Sequence, residues 1–159
     1  MKPKVYVETS VVSYLVGRRG GDVIQLSHQT ITAAWWRVRG RYSLYVSDLV
    51  LQEAAAGDAS AATRRLAVIE RLPILHVSEE AIDLAGEIMQ ATRLPKKANA
   101  DALHIALAAA HGMDYLVSWN CRHIANVLLR GRIEGACRSV GLEPPAICTP
   151  EEILGDQKK

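Results

Sequence analysis

Four side chains with oxygen donors stand at or near the ends of apolar segments: Glu8, Glu53, Asp101 and Asn120. Taken singly, each is typical of a solvated loop or helix residue, because charged side chains are mostly exposed. Taken together they indicate a cation site, because grouped carboxylates repel one another unless a cation offsets their charge. Oxygen ligands without a Cys or His partner favour magnesium or manganese.

The elements that must position these residues alternate between short apolar runs and helical segments. We predict strands over residues 2–7, 42–46, 74–77, 115–118 and 146–148. We predict helices over residues 22–40, 48–56, 59–72 and 98–111, and a mostly helical segment over 122–140 with breaks near its two glycines. This alternation predicts an α/β fold with a parallel sheet covered on both faces. Sites in such sheets form beyond the carboxyl ends of the strands, where Glu8 and Asn120 are expected.

Length and composition set broad limits on the class of protein. A chain of 159 residues suits one domain, for which we expect bounds of 1–154 and a frayed tail over 155–159. The net charge of +2 does not by itself indicate a nucleic-acid binder. Three cysteines without metal-binding spacing indicate reduced thiols, and no leader or long apolar run is visible. We therefore expect a cytoplasmic protein with no membrane partner.

Four motifs in order carry a family resemblance. The segment VYVETSVVSYL at residues 5–15 resembles the opening motif of PIN-domain proteins, especially the VapC-type toxins of toxin–antitoxin pairs. The segments SDLVLQE (47–53), ADALHIA (100–106) and LVSWNCRHI (116–124) resemble their second, third and fourth motifs. The resemblance covers about residues 4–150, nearly the whole chain.

The resemblance implies a three-layer PIN-like fold, with a central parallel sheet of about five strands, and a Mg²⁺- or Mn²⁺-dependent ribonuclease site. The acidic positions of the family fall on Glu8, Glu53 and Asp101, and Asn120 stands where a fourth acid is often found. Glu8 and Asp101 are expected as direct ligands, with Glu53 binding through water or orienting the nucleophile. Supporting or substrate-contacting roles are expected for three more residues: Thr9, Ser118 and Arg122. Expected partners are RNA, an antitoxin protein and a second copy of the chain.

Two departures from the family pattern leave an alternative open. Glu8 replaces the usual Asp, and its extra methylene moves the carboxylate outward by roughly 1.5 Å. Asn120 is neutral where charge is often found, so one metal ion is better supported than two. The alternative is a PIN-like module that binds RNA or protein without cleaving it. A nuclease acting on DNA flaps is less favoured, because 159 residues leave little room for extra substrate-binding helices.

His104 lies three residues after Asp101 and so shares its helix face. It is expected either to pack in the core, as half-buried histidines commonly do, or to contact the substrate or Asp101.

Overall fold

A computed structural model describes residues 1–155 of the chain. Within these residues there are five strands, all paired in parallel: β1 Lys4–Val7, β2 Ser43–Ser47, β3 Ile74–Leu75, β4 Tyr115–Val117 and β5 Ala146–Cys148. The same residues form eight α-helices: α1 Thr9–Val16, α2 Val23–Arg37, α3 Asp48–Ala54, α4 Ala59–Ile69, α5 Glu79–Thr92, α6 Asn99–Ala110, α7 Arg130–Ser139 and α8 Pro150–Leu154.

The order of the strands explains where a site can form. The sheet runs β3-β2-β1-β4-β5, so the chain builds outward from β1 in one direction and then returns to build in the other. The reversal lies between β1 and β4, which pair from Val5 with Tyr115 to Val7 with Val117. In open α/β sheets the crevice at such a reversal is where ligands bind. Glu8 and Ser118, which follow these two strands, lie at its floor.

Helices cover both faces of the sheet. Right-handed crossovers place α1 to α4 on one face and α5 to α7 on the other, because the two sets of connections run in opposite directions across the sheet. The contacts agree: α5 touches α6 and α7, whereas α2 touches α1 and α8. The predicted α/β architecture with a five-stranded parallel sheet between helical layers is therefore confirmed.

The central strand β1 and the helix α6 form the middle of the core. Val5, Tyr6 and Val7 have no exposed surface. Helix α6 is buried around most of its circumference, in keeping with its almost continuous apolar sequence. Because Asp101 and His104 belong to this rigid helix, their positions are set by core packing.

One predicted element is wrong. Residues 122–140 were expected to be mostly helical, but α7 begins only at Arg130, and turns precede it. The side-chain oxygens of Asn120 and Asn126 accept bonds from the backbone N–H groups of His123 and Leu128, in competition with helical hydrogen bonds. Gly131 and Gly135 lie inside α7 without breaking it.

The remaining predicted boundaries differ by a few residues. Helix α2 ends at Arg37, and the chain then makes a 3-10 turn over Arg39–Arg41. Of the expected tail at 155–159, Gly155 ends α8 and residues 156–159 lie outside the described part. All three cysteines are free thiols. Over residues 1–155, none of the helices combines the length and apolarity that a bilayer crossing requires.

Candidate active site

Glu8 occupies the junction between β1 and α1. Its carboxylate oxygen Oε2 accepts the backbone N–H of Ser10 at 3.0 Å and thereby caps the N-terminus of α1. The same oxygen accepts hydrogen bonds from the Ser10 hydroxyl and from the Ser118 hydroxyl. Ser118 directly follows β4, and its Oγ lies 2.9 Å from Glu8 Oε2. Glu8 is only 5% exposed. Its added length therefore spans two neighbouring strand ends, and within residues 1–155 its second oxygen, Oε1, accepts no hydrogen bond.

Glu53 reaches the same crevice from the last turn of α3. Its Oε1 lies 2.6 Å from Thr9 Oγ1 and 2.6 Å from His104 Nε2. Burial raises the pKa of this carboxyl, but the hydrogen bond and electrostatic attraction of the His104 ring and the hydroxyl of Thr9 outweigh it and leave the pKa below its usual value. The Glu53 side chain is 35% exposed, so an ionised carboxylate faces both the protein and solvent.

Asp101 forms a separate group on the other side of the crevice. Its Oδ1 accepts the Asn120 side-chain amide at 3.0 Å, and its Oδ2 lies 2.8 Å from His123 Nδ1. Asn120 in turn accepts the backbone N–H of His123, which fixes the turn that carries the imidazole. Both oxygens of Asp101 thus have a protein partner.

Ser118 joins the two sides of the site. Its hydroxyl donates to Glu8 and accepts the backbone N–H of Asn120 at 2.9 Å. The hydroxyls of Thr9 and Ser118 bond to Glu53 and Glu8, and their supporting role at a metal stays a prediction. Arg122 is exposed on the turn that follows, and Lys96 and Lys97 are exposed in a 3-10 helix, Lys96–Ala98, directly before α6.

The structure brings together a donor set that differs from the predicted one. One ligand atom each from Glu8, Glu53 and His104 lies within 4.8 Å of the others, a spacing that suits one metal ion. Within residues 1–155, Asp101 is not part of so compact a group, so its role as a direct ligand stays a prediction. The carboxylates of Glu8, with its open Oε1, and of Glu53 are the donors that a hard divalent cation prefers, and the residues therefore fit such an ion.

The sequence offers both histidines of the site, His104 and His123, as candidates but does not predict their observed partners, Glu53 and Asp101. A contact between His104 and Asp101, three residues away, was one expectation, but the ring bonds to Glu53, which is distant in sequence. His123, within the fourth motif, is expected beside Arg122 as a contact to phosphate, whereas in the structure its ring pairs with Asp101. A signal for His104 existed: a polar ring in the middle of an otherwise apolar, fully buried helix needs hydrogen-bond partners.

Replacing Thr9 by Val is expected to raise the pKa of Glu53, because one of its two donors is lost. A carboxyl with a lowered folded-state pKa contributes stability above its unfolded-state pKa, and this contribution is lost as the pH falls through the folded-state value. Thr9→Val should therefore lower the melting temperature more at neutral pH than at about pH 3. Thermal unfolding at the two pH values measures this.

Thr92→Val is the matched control, because the buried Thr92 hydroxyl donates to the backbone carbonyl of Ile88 and not to a titrating group. Its effect should be the same at both pH values. An equal loss at both pH values for Thr9→Val would contradict the pairing with an ionised Glu53.

Comparison with known proteins gives a family and two related folds. A family model for the PIN domain matches residues 5–123. VapBC2 from Rickettsia felis, crystallised with a DNA fragment from its promoter, aligns with a TM-score of 0.59 at 16% identity, over 92% of this chain and 98% of the other. VapC20 of Mycobacterium tuberculosis, described as a toxin that cleaves the sarcin–ricin loop, aligns with a TM-score of 0.58 at 17% identity, over 75% of this chain and 92% of the other. Curated protein sequences provide no match.

The matched region contains all four motifs up to His123, and the likeness to the two solved structures confirms the PIN-like three-layer fold. With a family model that spans most of its length and an acidic crevice at the carboxyl end of a five-stranded parallel sheet, this chain belongs to the PIN-domain family.

Proposed function

We propose that the protein is a metal-dependent endoribonuclease and the toxin of a toxin–antitoxin pair. The observation that carries the proposal is the acidic crevice, in which ligand atoms of Glu8, Glu53 and His104 lie within 4.8 Å of one another at the strand reversal. Membership of the PIN family supports nuclease activity. The description of VapC20 as a loop-cleaving toxin supports RNA as the substrate class.

The acidic residues of the crevice and Asn120 would have different roles in phosphodiester hydrolysis. Glu8 and Glu53 would hold a Mg²⁺ or Mn²⁺ ion, and Asp101 would reach it directly or through water. A bound divalent cation lowers the pKa of a coordinated water and neutralises charge on the phosphate. Glu53, whose pKa its two donors lower, would orient that water. Asn120 holds Asp101 in place through its amide.

The turn after β4 supplies donors for the substrate. Asp101 holds His123 through Nδ1, and Nε2 would donate to a phosphate oxygen when the ring carries both protons. Arg122 is exposed beside it, and Lys96 and Lys97 are exposed in the 3-10 helix before the Asp101 helix. These side chains would bind the RNA backbone without reading its sequence.

The test is cleavage of end-labelled RNA with Mg²⁺, with Mn²⁺ and with a chelator. The wild type should cleave only with metal, and Asp101→Asn should lower the rate by about tenfold to hundredfold, the range for a residue that acts around a bound metal. Asp83→Asn, an exposed aspartate on α5, is the control and should cleave normally. Unchanged metal-dependent cleavage by Asp101→Asn would show that the site is assigned to the wrong residues.

A PIN-like module that binds RNA or protein is the second candidate, and one observation favours it. Hydrogen-bond donors already occupy both oxygens of Asp101 and one oxygen of Glu8, so these carboxylates are partly compensated without a cation. Calorimetric titration separates the two functions. Mn²⁺ binding that is lost in Glu8→Gln supports the enzyme, whereas no binding at millimolar Mn²⁺ supports the module.

An antitoxin partner, a homodimer and a cytoplasmic location are further parts of the proposal. The toxin assignment rests on the PIN family and on the VapC fold, and VapBC2 was crystallised with promoter DNA. Sedimentation of the purified chain, alone and co-expressed with the product of an adjacent reading frame, tests both assemblies.

A further inference from the structure

A hydrogen-bonded chain of buried side chains leads from the start of α3 to the carboxylate near its end. The Ser47 hydroxyl accepts the Val50 N–H at 3.1 Å and lies 2.7 Å from the Tyr6 hydroxyl. The Tyr6 hydroxyl lies 2.7 Å from His104 Nδ1, and His104 Nε2 lies 2.6 Å from Glu53 Oε1. Ser47, Tyr6 and His104 have no exposed surface, so water does not compete for these bonds.

One arrangement of the protons along this chain gives every buried donor an acceptor. Within residues 1–155 the buried Ser47 hydroxyl has no acceptor other than the Tyr6 oxygen, so it donates to that oxygen and leaves the phenol hydrogen for His104 Nδ1. With Nδ1 accepting from Tyr6, the N–H of the imidazole lies on Nε2 and points to Glu53 Oε1 at 2.6 Å. Ser47 then donates to Tyr6, Tyr6 donates to Nδ1 of a neutral ring, and the ring donates to Glu53.

This arrangement restrains the Glu53 carboxylate in one orientation. The Thr9 hydroxyl and the His104 ring both donate to Oε1. Oε2 accepts no hydrogen bond within the described residues 1–155 and remains for a ligand. A glutamate side chain that is 35% exposed would otherwise sample several rotamers, and fixing it costs free energy each time a ligand binds.

The short distance from His104 to Glu53 distinguishes positioning from metal ligation. Neighbouring ligand atoms around an octahedral Mg²⁺ lie ~3 Å apart, since each bond is about 2.1 Å. His104 Nε2 and Glu53 Oε1 are 2.6 Å apart, which is hydrogen-bond distance, and Nε2 donates its hydrogen to Glu53. His104 therefore lies close enough to Glu8 and Glu53 to be counted among the potential metal ligands, but it donates a hydrogen bond to Glu53 instead of binding a metal ion.

From these contacts, and resting on the proposed metal-dependent function, we propose that Tyr6 and His104 are positioning residues. They pre-orient Glu53 for its cation, and Ser47 aligns Tyr6. The state of His104 that orients Glu53 is the neutral ring with its proton on Nε2.

Three measurements on the purified chain test this proposal: ¹⁵N NMR of the metal-free protein, calorimetric titration with Mn²⁺, and the electron paramagnetic resonance spectrum of the bound Mn²⁺. The wild type should show His104 protonated on Nε2 alone. Tyr6→Phe removes only the hydroxyl, so the ring should lose its single tautomer and Mn²⁺ should bind about tenfold more weakly. His104→Leu should weaken binding further, by up to about a hundredfold, and His104→Gln, which keeps an N–H donor near Glu53, should restore part of it.

Tyr42→Phe is the matched control, because its hydroxyl donates to the Ile153 carbonyl at 3.4 Å, away from this chain of bonds. It should change neither the tautomer nor Mn²⁺ affinity. Wild-type Mn²⁺ affinity in both Tyr6→Phe and His104→Leu would overturn the proposal. A wild-type His104 ring protonated on Nδ1 would also overturn the proposal. Coupling between the His104 nitrogen and bound Mn²⁺ in the electron paramagnetic resonance spectrum would overturn it as well, because it would make His104 a metal ligand.

Failure of the proposed function gives a different pattern. In that case the wild type binds no Mn²⁺, and the NMR result alone decides: a tautomer that changes in Tyr6→Phe supports the restraint on Glu53, and an unchanged tautomer refutes it. If His104→Leu does not fold, Tyr6→Phe decides the Mn²⁺ result, because it leaves the buried ring in place.

Discussion

Replacing Glu8 by Gln is expected to lower Mg²⁺-dependent RNA cleavage about a hundredfold or more, the size of effect known for groups that hold or orient a catalytic metal. Gln keeps the length of the side chain, so an amide oxygen can still accept the Ser10 N–H and cap α1. The substitution removes the negative charge that would offset a cation beside Glu53. Stability should change little while activity falls. Cleavage of labelled RNA at saturating metal, together with a melting curve, measures both.

Two further variants at glutamate positions separate charge from geometry. Glu8→Asp keeps the charge but withdraws the carboxylate by roughly 1.5 Å, so it should lose the Ser118 contact and cleave more slowly than the wild type. Glu70→Gln, on the exposed end of α4, is the control and should cleave normally. Full activity in Glu8→Gln would mean that the metal is held without Glu8 and would favour Asp101 as its principal ligand.

Replacing Ile105 by Ala is expected to reduce the free energy of unfolding by about 2–5 kcal/mol, the usual cost of a large cavity in a core. Ile105 has no exposed surface and lies in α6, the helix that also carries Asp101 and His104. Because the helix contacts both β4 and α5, the surrounding side chains have little freedom to fill the space. Equilibrium denaturation by urea measures the loss.

Ile82→Ala removes the same atoms from the exposed face of α5, where Ile82 is 56% accessible. Its effect should lie within about 0.5 kcal/mol of zero. A similar loss at both positions would show that α6 is less tightly packed than its burial indicates, and the restraint on His104 would then be weaker.

The composition of the site illustrates why a sequence predicts some ligands and misses others. Glu8 was identified because its neighbours form a strand, and a residue that follows a parallel strand must lie at the carboxyl edge. His104 was judged on its own helix, where the nearest acid is Asp101. In the structure the ring points to Glu53 and Tyr6, partners 51 and 98 positions away along the chain. Hydrogen bonds at such separations depend on how α6 packs against β1 and α3, which periodicity does not report.

The turn before α7 shows that secondary structure, too, depends on side-chain hydrogen bonds that sequence periodicity does not reveal. Residues 122–129 have helical composition, and two glycines inside the true helix suggested breaks where none occurs. The deciding interactions come from the side chains of Asn120 and Asn126, which bond to nearby backbone N–H groups. The same turn brings His123 to Asp101, so the irregular backbone serves the site.

By itself, the sequence determined the alternation of strands and helices, the parallel sheet and the edge at which Glu8 and Asn120 stand, because these follow from local patterns and from the handedness of crossovers. The four motifs also identified the family. Only the tertiary structure decided which acids meet. It grouped Glu8 and Glu53 with a buried histidine, and it paired Asp101 with Asn120 and His123. The physical reason is that side-chain direction and hydrogen-bond partners depend on the packing of distant elements, which no stretch of neighbouring residues encodes.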